Sequence, residues 1–338
     1  CNICFQSTTP IASVFIALQH NVTEAGEIPL YTSGIRDWAG IFFYSLICIV
    51  IHAIIQEYVI DKISKRLHLS KSKLAVFNTS GQLAIFYLIS TVWGYDIIIR
   101  EKMFPNISTI WTDYPSPMSF MMKLFLIIQI AYSLHEIPEL YFQRTKKEEY
   151  VGKAAQSLAA LVIIAIPYFL NFNRLLVCLL VQHFSSELMI HIAQLVQTVD
   201  KDEKFSKITR TLSNCVMILS RIVSIVIAVL SLWFGFAQME QRDLDVSTGY
   251  FNTPIIRLAM LGAILVLQIY LTAVVIGKEL EKVREARAFN TVQKVKPQKK
   301  EKPKKAKKVV EESDLPEVDQ NTNKNLRNRS APAAAKAK

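Results

Sequence analysis

Glycine is scarce in this chain, and so are the motifs that mark common enzyme sites. Only 10 of the 338 residues are glycine. The sequence contains no nucleophile elbow, no phosphate-binding glycine loop and no dinucleotide fingerprint. Of the five cysteines, three stand singly in apolar segments, and Cys1 and Cys4 form a C-x-x-C pair too weak to indicate metal or redox chemistry. We therefore expect no catalytic residue, metal, cofactor or disulfide.

The sequence does contain long apolar runs. Hydrophobic residues make up 51% of the chain, and seven segments are long enough to cross a hydrocarbon core of about 30 Å at about 1.5 Å per helical residue. The predicted fold is therefore all-α, a polytopic transmembrane helix bundle. The seven complete spans are predicted at residues 38–59, 81–99, 117–134, 154–170, 175–196, 212–236 and 255–276.

A shorter apolar stretch precedes these spans. Residues 11–18 are too few to cross a bilayer, and the chain begins with Cys1. We expect this stretch to be the end of a truncated first span, which would make eight in all. A processed extracellular N-terminus is the alternative.

Positive charge alternates between the two sides of the predicted bundle. The connections after the first, third and fifth complete spans contain thirteen Lys or Arg, against five in the remaining connections. Because Lys and Arg resist translocation, the basic connections are predicted to be cytosolic, together with the C-terminus. The sequons at Asn21 and Asn106 then lie on the opposite side, where glycosylation takes place, so both are predicted glycosylation sites.

The end of the chain differs in composition from the spans. Nine of the fifteen residues 294–308 are Lys, so residues 283–338 are predicted to form a cytosolic, basic, disordered tail. Such a tail either stays solvated or contacts the ribosome or anionic lipid.

Polar residues recur within the predicted spans, where an ionisable side chain at mid-bilayer costs about 3 kcal/mol on insertion scales. The spacing of His183, Glu187, His191 and Gln194 places all four on one helical face, which we expect to look into the bundle. Interhelical hydrogen bonding, a hydrated or lipid-binding cavity, and a metal site are the three interpretations. The metal site is the weakest, since H-x3-E-x3-H is not a known zinc motif.

Three more polar residues are predicted to line the same intramembrane groove. They are His52, Glu57 and Arg221, of which Arg221 lies near the middle of its span. An arginine at that depth needs a partner or a water path. By membrane depth, Glu57 and Glu187 are the nearest candidates.

Several loop and span motifs occur together in one order. They are QHNVT, IIHAIIQEYVIDKISKRLHLSKSK, FNTSGQLAIFYL followed by VWG, HEIPELYFQRTKKE and DVSTGYFN. In this combination the chain resembles the translocating-chain-associated membrane protein (TRAM) family of the TLC superfamily. The resemblance implies an eight-span endoplasmic reticulum protein that lies beside the Sec translocon, contacts signal sequences of nascent chains and assists their translocation or insertion. It also implies a TLC domain of six spans at residues 72–282, which follows residues 1–71.

The same superfamily includes ceramide synthases, so a lipid-binding or acyltransferase function is the alternative. The signature of those enzymes is an adjacent His-His pair within a span. None of the six histidines here is adjacent to another, and the corresponding segment reads Ala155-Gln156-Ser157. We therefore expect a protein that is not an enzyme, although a lipid-holding cavity remains compatible with the pattern.

Overall fold

Seven helices long and apolar enough to cross a membrane make up most of the chain. The computed structural model describes residues 9–10, 12–24, 27–142, 147–200, 204–239 and 243–295. The helices are α1 (Asp37–Leu67), α2 (Lys71–Arg100), α3 (Phe120–Phe142), α4 (Lys147–Phe169), α5 (Asn173–Val199), α6 (Lys204–Met239) and α7 (Pro254–Val295). The prediction of an all-α bundle with seven complete spans is confirmed.

The helices are longer than the apolar runs from which they were predicted. Residues 71–80 of α2, for example, are helical although the predicted span begins at residue 81. Once a helix exists, each further residue adds a hydrogen bond at little cost, so helices extend past their apolar part. The third span was predicted to begin at residue 117, but α3 begins at Phe120. Pro117 lies in the preceding connection, which ends in a two-residue strand.

Two helices contain a π-helical segment, at Gln56–Ile60 in α1 and at Val229–Gly235 in α6. Side chains from neighbouring helices donate hydrogen bonds to carbonyl groups near both segments. The Gln82 amide donates to the His52 carbonyl at 3.1 Å, and the Arg257 guanidinium donates to the Leu232 carbonyl at 2.8 Å. Each of these carbonyl groups thereby accepts a hydrogen bond from a side chain of another helix.

The helices pack around two central members. Helix α5 packs between α2 and α6, and helix α3 packs between α1 and α4. Close approach of α2 and α5 depends on Gly94, because a β carbon there would lie 2.2 Å from Cγ2 of Val181. The apolar core includes Phe125, Tyr168 and residues of all the central helices.

One end of the bundle, which we call the capped end, is covered by its own connections. There, strand β1 (Leu30–Tyr31) pairs antiparallel with β2 (Met118–Ser119). Asn171 accepts a hydrogen bond from Ser33 at 2.7 Å and donates one to the Gly249 carbonyl at 2.8 Å. These contacts join four connections that are distant in sequence. The capped end is therefore one ordered layer.

Tyr114 is a central member of this layer. Its hydroxyl donates to the Leu170 carbonyl at 2.7 Å and accepts from the Phe251 amide at 3.3 Å. Burial raises the pKa of Tyr114 above its usual range. The ring also packs against Phe172, Phe236 and Tyr250.

The opposite end, which we call the open end, contains the starts of α2, α4 and α6. Here the Lys73 ammonium donates to the Thr198 carbonyl at 3.4 Å, where α5 ends. Asn21 and Asn106 are both exposed at the capped end, and the described Lys and Arg residues of the predicted basic connections lie at the open end. The two ends therefore segregate the sequons from the basic loops as predicted, while membrane orientation remains a prediction.

By their contacts, residues up to Glu281 form one unit and those from Lys282 form a second. The predicted domain boundaries at residues 71 and 282 remain predictions. The part of the predicted basic tail that follows Val295 lies outside the described residues, and so do Cys1 and Cys4.

Candidate functional site: polar clusters within the helix bundle

Arg221 is the centre of a polar cluster formed by α5, α6 and α7. Its side chain is 4% exposed. The guanidinium lies 3.4 Å from Glu187 Oε1, 3.3 Å from His183 Nδ1 and 3.2 Å from Ser186 Oγ on α5. A further bond of 3.3 Å reaches Gln268 Oε1 on α7. Arg221 thus links three helices through one buried charge.

Of the two partners predicted for Arg221, the structure places only Glu187 beside it. Glu57 is exposed and makes no ion pair among the described residues. It lies within the π-helical segment of α1, where the wider turn changes the direction in which successive side chains point. The prediction that Glu57 lines a groove with Arg221 is therefore corrected.

Helix α6 can approach α5 closely because small residues face the contact. Ser213, Ser220 and Ser224 are buried on α6, and the Ser220 hydroxyl donates to the Gln182 carbonyl of α5. Small residues at helix contacts allow close backbone approach within membranes. This serine face is a signal that the sequence contained and that was not used: serines recur seven and four residues apart beside the arginine.

The other two members of the predicted face lie nearer the open end of α5, towards α2. Gln194 Oε1 accepts a hydrogen bond from Ser80 at 2.7 Å. The His191 ring stacks on Tyr87, with 5.6 Å between ring centroids and an interplanar angle of 16°. His183, Glu187, His191 and Gln194 do share one side of α5, and each of them is partly accessible.

His52 belongs to a second cluster, between α1 and α3. Its Nε2 lies 3.4 Å from Glu139 Oε1, and its ring centroid lies 5.8 Å from that of His135. His135 is 1% exposed, and its Nδ1 makes a short contact with the Tyr132 carbonyl. The single groove predicted from the sequence is therefore two clusters.

Aromatic side chains lie between the two clusters. Phe86 stacks on Tyr132 with 3.4 Å between centroids and meets Phe184 edge-on at 5.9 Å. The ring centroids of Tyr87 and Phe184 lie 5.6 Å apart. The His52 ring contacts the His135 ring, which contacts Tyr132 of this layer. On the other side, Phe184 of the layer belongs to α5, the helix that Arg221 contacts.

Around the Arg221 cluster, packing changes along the helices. On α7, no described side chain from residue 269 to residue 281 is buried, whereas Gln268 and Leu261 are. On α6, none of residues 204–212 is buried, and on α5 residues 187–192 are all partly accessible. The capped half of the bundle is thus tightly packed, and side chains of α5, α6 and α7 are accessible towards the open end, with the Arg221 cluster at the boundary.

The structure also gives the geometry that is relevant to a metal site and to an acyltransferase site. Among the described residues, no three His, Cys, Asp or Glu side chains are arranged to hold a metal ion. His183 and His191 are separated by two helical turns, and His191 lies against Tyr87. In the segment where the resemblance predicted the histidine pair of a ceramide synthase to fall, Ser157 is buried.

Comparisons with known proteins agree with the resemblance in the motifs. The model of the TLC domain family matches residues 76–276. The chain is 38% identical over 288 residues to the human protein named translocating chain-associated membrane protein 2, covering 84% of this chain and 77% of the relative. The mouse protein of the same name is 38% identical over 290 residues, with the same coverage of both chains. The chain therefore belongs to the translocating chain-associated membrane protein family of the TLC superfamily.

Proposed function

We propose that this multi-pass membrane protein is an accessory factor of polypeptide translocation at the endoplasmic reticulum. In this role it contacts the signal sequences of nascent secretory and membrane proteins and assists their translocation or insertion. The names of its relatives support an association with translocating chains. The proposed partners are the Sec translocon and the nascent chain, and no chemical step is required.

The observation that carries the proposal is the partly accessible polar cluster around Arg221. A signal sequence with a short apolar core, or with a polar residue in it, costs several kcal/mol to place in pure hydrocarbon. Glu187 and His183 are 21% and 32% exposed beside an arginine whose side chain is 4% exposed. Their polar atoms supply hydrogen-bond partners at a depth where lipid supplies none. The polar residues therefore act as a host surface for an incoming segment.

Orientation follows from the same proposal. The open end, with its basic connections, faces the cytosol, where the precursor arrives, and the capped end faces the lumen. The C-terminal tail is then cytosolic, and its contact with the ribosome or anionic lipid remains a prediction.

The proposal is tested by photocrosslinking from a nascent signal sequence. Ribosome-bound precursors carrying a photoreactive residue in the apolar core are targeted to vesicles that contain the wild-type chain, Arg221→Ala or Glu57→Ala. We expect labelling of the wild-type chain, reduced labelling of Arg221→Ala and unchanged labelling of Glu57→Ala. Absence of labelling of the wild-type chain with several precursors would refute the proposal.

A parallel assay addresses the alternative function. Purified chain is incubated with acyl-CoA and a sphingoid base, and transfer of the acyl group is measured. We expect no transfer, because no adjacent pair of histidines is available to act as the general base. Turnover by the purified chain would favour the lipid-modifying function.

A further inference from the structure

The contacts of Arg221 determine which nitrogen of His183 carries its proton. A guanidinium has five N–H donors and no acceptor. Its hydrogen bond of 3.3 Å to His183 Nδ1 therefore requires Nδ1 to be the acceptor. In the neutral imidazole the proton then resides on Nε2. His183 consequently presents an N–H donor on the side of the ring that faces away from Arg221.

Glu187 presents the complementary group. Its Oε1 is the atom engaged by Arg221, at 3.4 Å. Oε2 has no hydrogen-bond partner among the described residues and is not a buried atom. Glu187 therefore offers one free acceptor oxygen beside the His183 donor.

The donor and the acceptor lie one helical turn apart on α5. Residues four apart on a helix are neighbours, with about 5–6 Å between their β carbons. The two side chains keep 32% and 21% of their surface exposed, while the arginine between α5 and α6 keeps 4%. The accessible side of the cluster is thus an N–H and a carboxylate oxygen held in fixed order, with the positive charge hidden behind them.

From this geometry we infer that the Arg221 cluster is a specificity site for a side-chain carboxamide, that of Asn or Gln, within the apolar segment of a client polypeptide. The carboxamide oxygen accepts from His183 Nε2–H, and its NH2 group donates to Glu187 Oε2. A carboxamide presents one acceptor and one donor side by side, as the pair on α5 requires. Arg221 is a positioning residue, since it fixes the tautomer of His183 and one oxygen of Glu187.

The inference rests on the proposed function and adds a preference among clients. Interhelical hydrogen bonds in membranes are worth about 0.6 kcal/mol on average, which is about threefold in an equilibrium constant per bond. Two bonds to one carboxamide therefore give a preference of about tenfold. A client with leucine in place of asparagine makes neither bond.

The test compares two model precursors that differ at one residue. Both carry a Leu-rich signal segment with a photoreactive residue, and the central position is Asn in one and Leu in the other. They are presented to vesicles containing wild-type chain, His183→Leu, Glu187→Leu or the control Glu57→Ala. We expect the wild-type chain and Glu57→Ala to be labelled about tenfold more by the Asn precursor. His183→Leu and Glu187→Leu are expected to reduce the preference to about threefold or less.

Labelling by the Leu precursor separates the possible failures. His183→Leu leaves the pair of Arg221 and Glu187 in place, and an unfolding temperature in detergent equal to that of the wild-type chain shows that the variant is folded. Equal labelling of the wild-type chain by the two precursors overturns the inference and leaves the proposed function intact. An Asn preference that persists in both Leu variants also overturns it. Labelling by neither precursor removes the proposed function and the inference with it.

Discussion

The ammonium nitrogen of Lys123 on α3 lies 2.9 Å from Asp37 Oδ1 at the start of α1, and both side chains are fully buried. Lys123 also donates to the carbonyl oxygens of Gln19 and Thr32, at 2.6 and 2.7 Å. The other oxygen of Asp37 accepts from Tyr168 at 2.7 Å. One ion pair thus connects α1, α3 and α4 with the connection that carries Asn21.

Removing one partner of this ion pair is expected to destabilise the protein strongly. Lys123→Met leaves a buried carboxylate without its counter-charge, and Asp37→Asn leaves a buried ammonium, at a cost of about 3–5 kcal/mol each. The double variant is expected to be more stable than the sum of the two changes predicts. Thermal unfolding in detergent measures all three.

Arg100→Ala, which removes an exposed pair with Asp96, is the control and should cost less than about 1 kcal/mol. Additive effects of the two buried changes would contradict this account of the pair.

A second double-mutant cycle tests the partner of Arg221. Arg221→Ala and Glu187→Ala are expected to be non-additive by about 0.5–3 kcal/mol in the free energy of unfolding, because the two side chains share a contact. Arg221→Ala with Glu57→Ala should be additive within about 0.5 kcal/mol, since Glu57 is exposed on α1. The reverse result, coupling to Glu57 alone, would restore the pairing that the structure excludes.

The sequence predicted helix positions well because they depend on local apolar runs. It also predicted that four polar residues share one side of α5, since that depends only on the helical repeat. It did not predict which helices are neighbours. Lys123 lies within a predicted span, but its partner Asp37 is 86 residues earlier, and sequence spacing contains no information on that contact.

The same limitation explains the corrected groove. Membrane depth made Glu57 and Glu187 the nearest candidates for Arg221, but depth does not give the rotation of a helix about its own axis. His52 turned out to face Glu139 and His135 on α3. The π-helical segment beside it has no recognisable sequence signature, and it changes the side on which Glu57 appears.

Gly94 is expected to be a sensitive position in the contact between α2 and α5. An added β carbon would lie 2.2 Å from the Val181 side chain and 3.4 Å from Phe125. Gly94→Ala should therefore cost about 1–3 kcal/mol in unfolding free energy, as overpacking does.

Gly262→Ala on α7 is the matched control, because no atom lies within 4 Å of its added β carbon. There the higher helix propensity of alanine should leave stability unchanged or raise it by up to about 1 kcal/mol. Partial restoration of stability in Gly94→Ala by Val181→Ala would support the packing explanation, and no restoration would argue against it.

Glycosylation reports which end of the bundle is lumenal. Asn21 is exposed at the capped end, and the Thr23 hydroxyl of its sequon contacts Leu30. We expect endoglycosidase to decrease the mass of the wild-type chain more than that of Asn21→Gln. Asn78→Gln, whose sequon lies in α2 towards the open end, should behave as the wild type does. Equal mass changes in the wild-type chain and Asn21→Gln would exclude a glycan at Asn21, and a glycan at Asn78 would reverse the orientation.

The most direct measurement places a photoreactive residue in this protein, at Ile190 on the accessible side of α5, with Val50 on the exposed surface of α1 as the control. Vesicles containing each variant receive a stalled, radiolabelled precursor and are irradiated. The account predicts covalent attachment of the precursor at Ile190 and little at Val50. Attachment at Val50 alone, or at neither position while translocation proceeds, would contradict the claim that the polar interior of the bundle receives the incoming polypeptide.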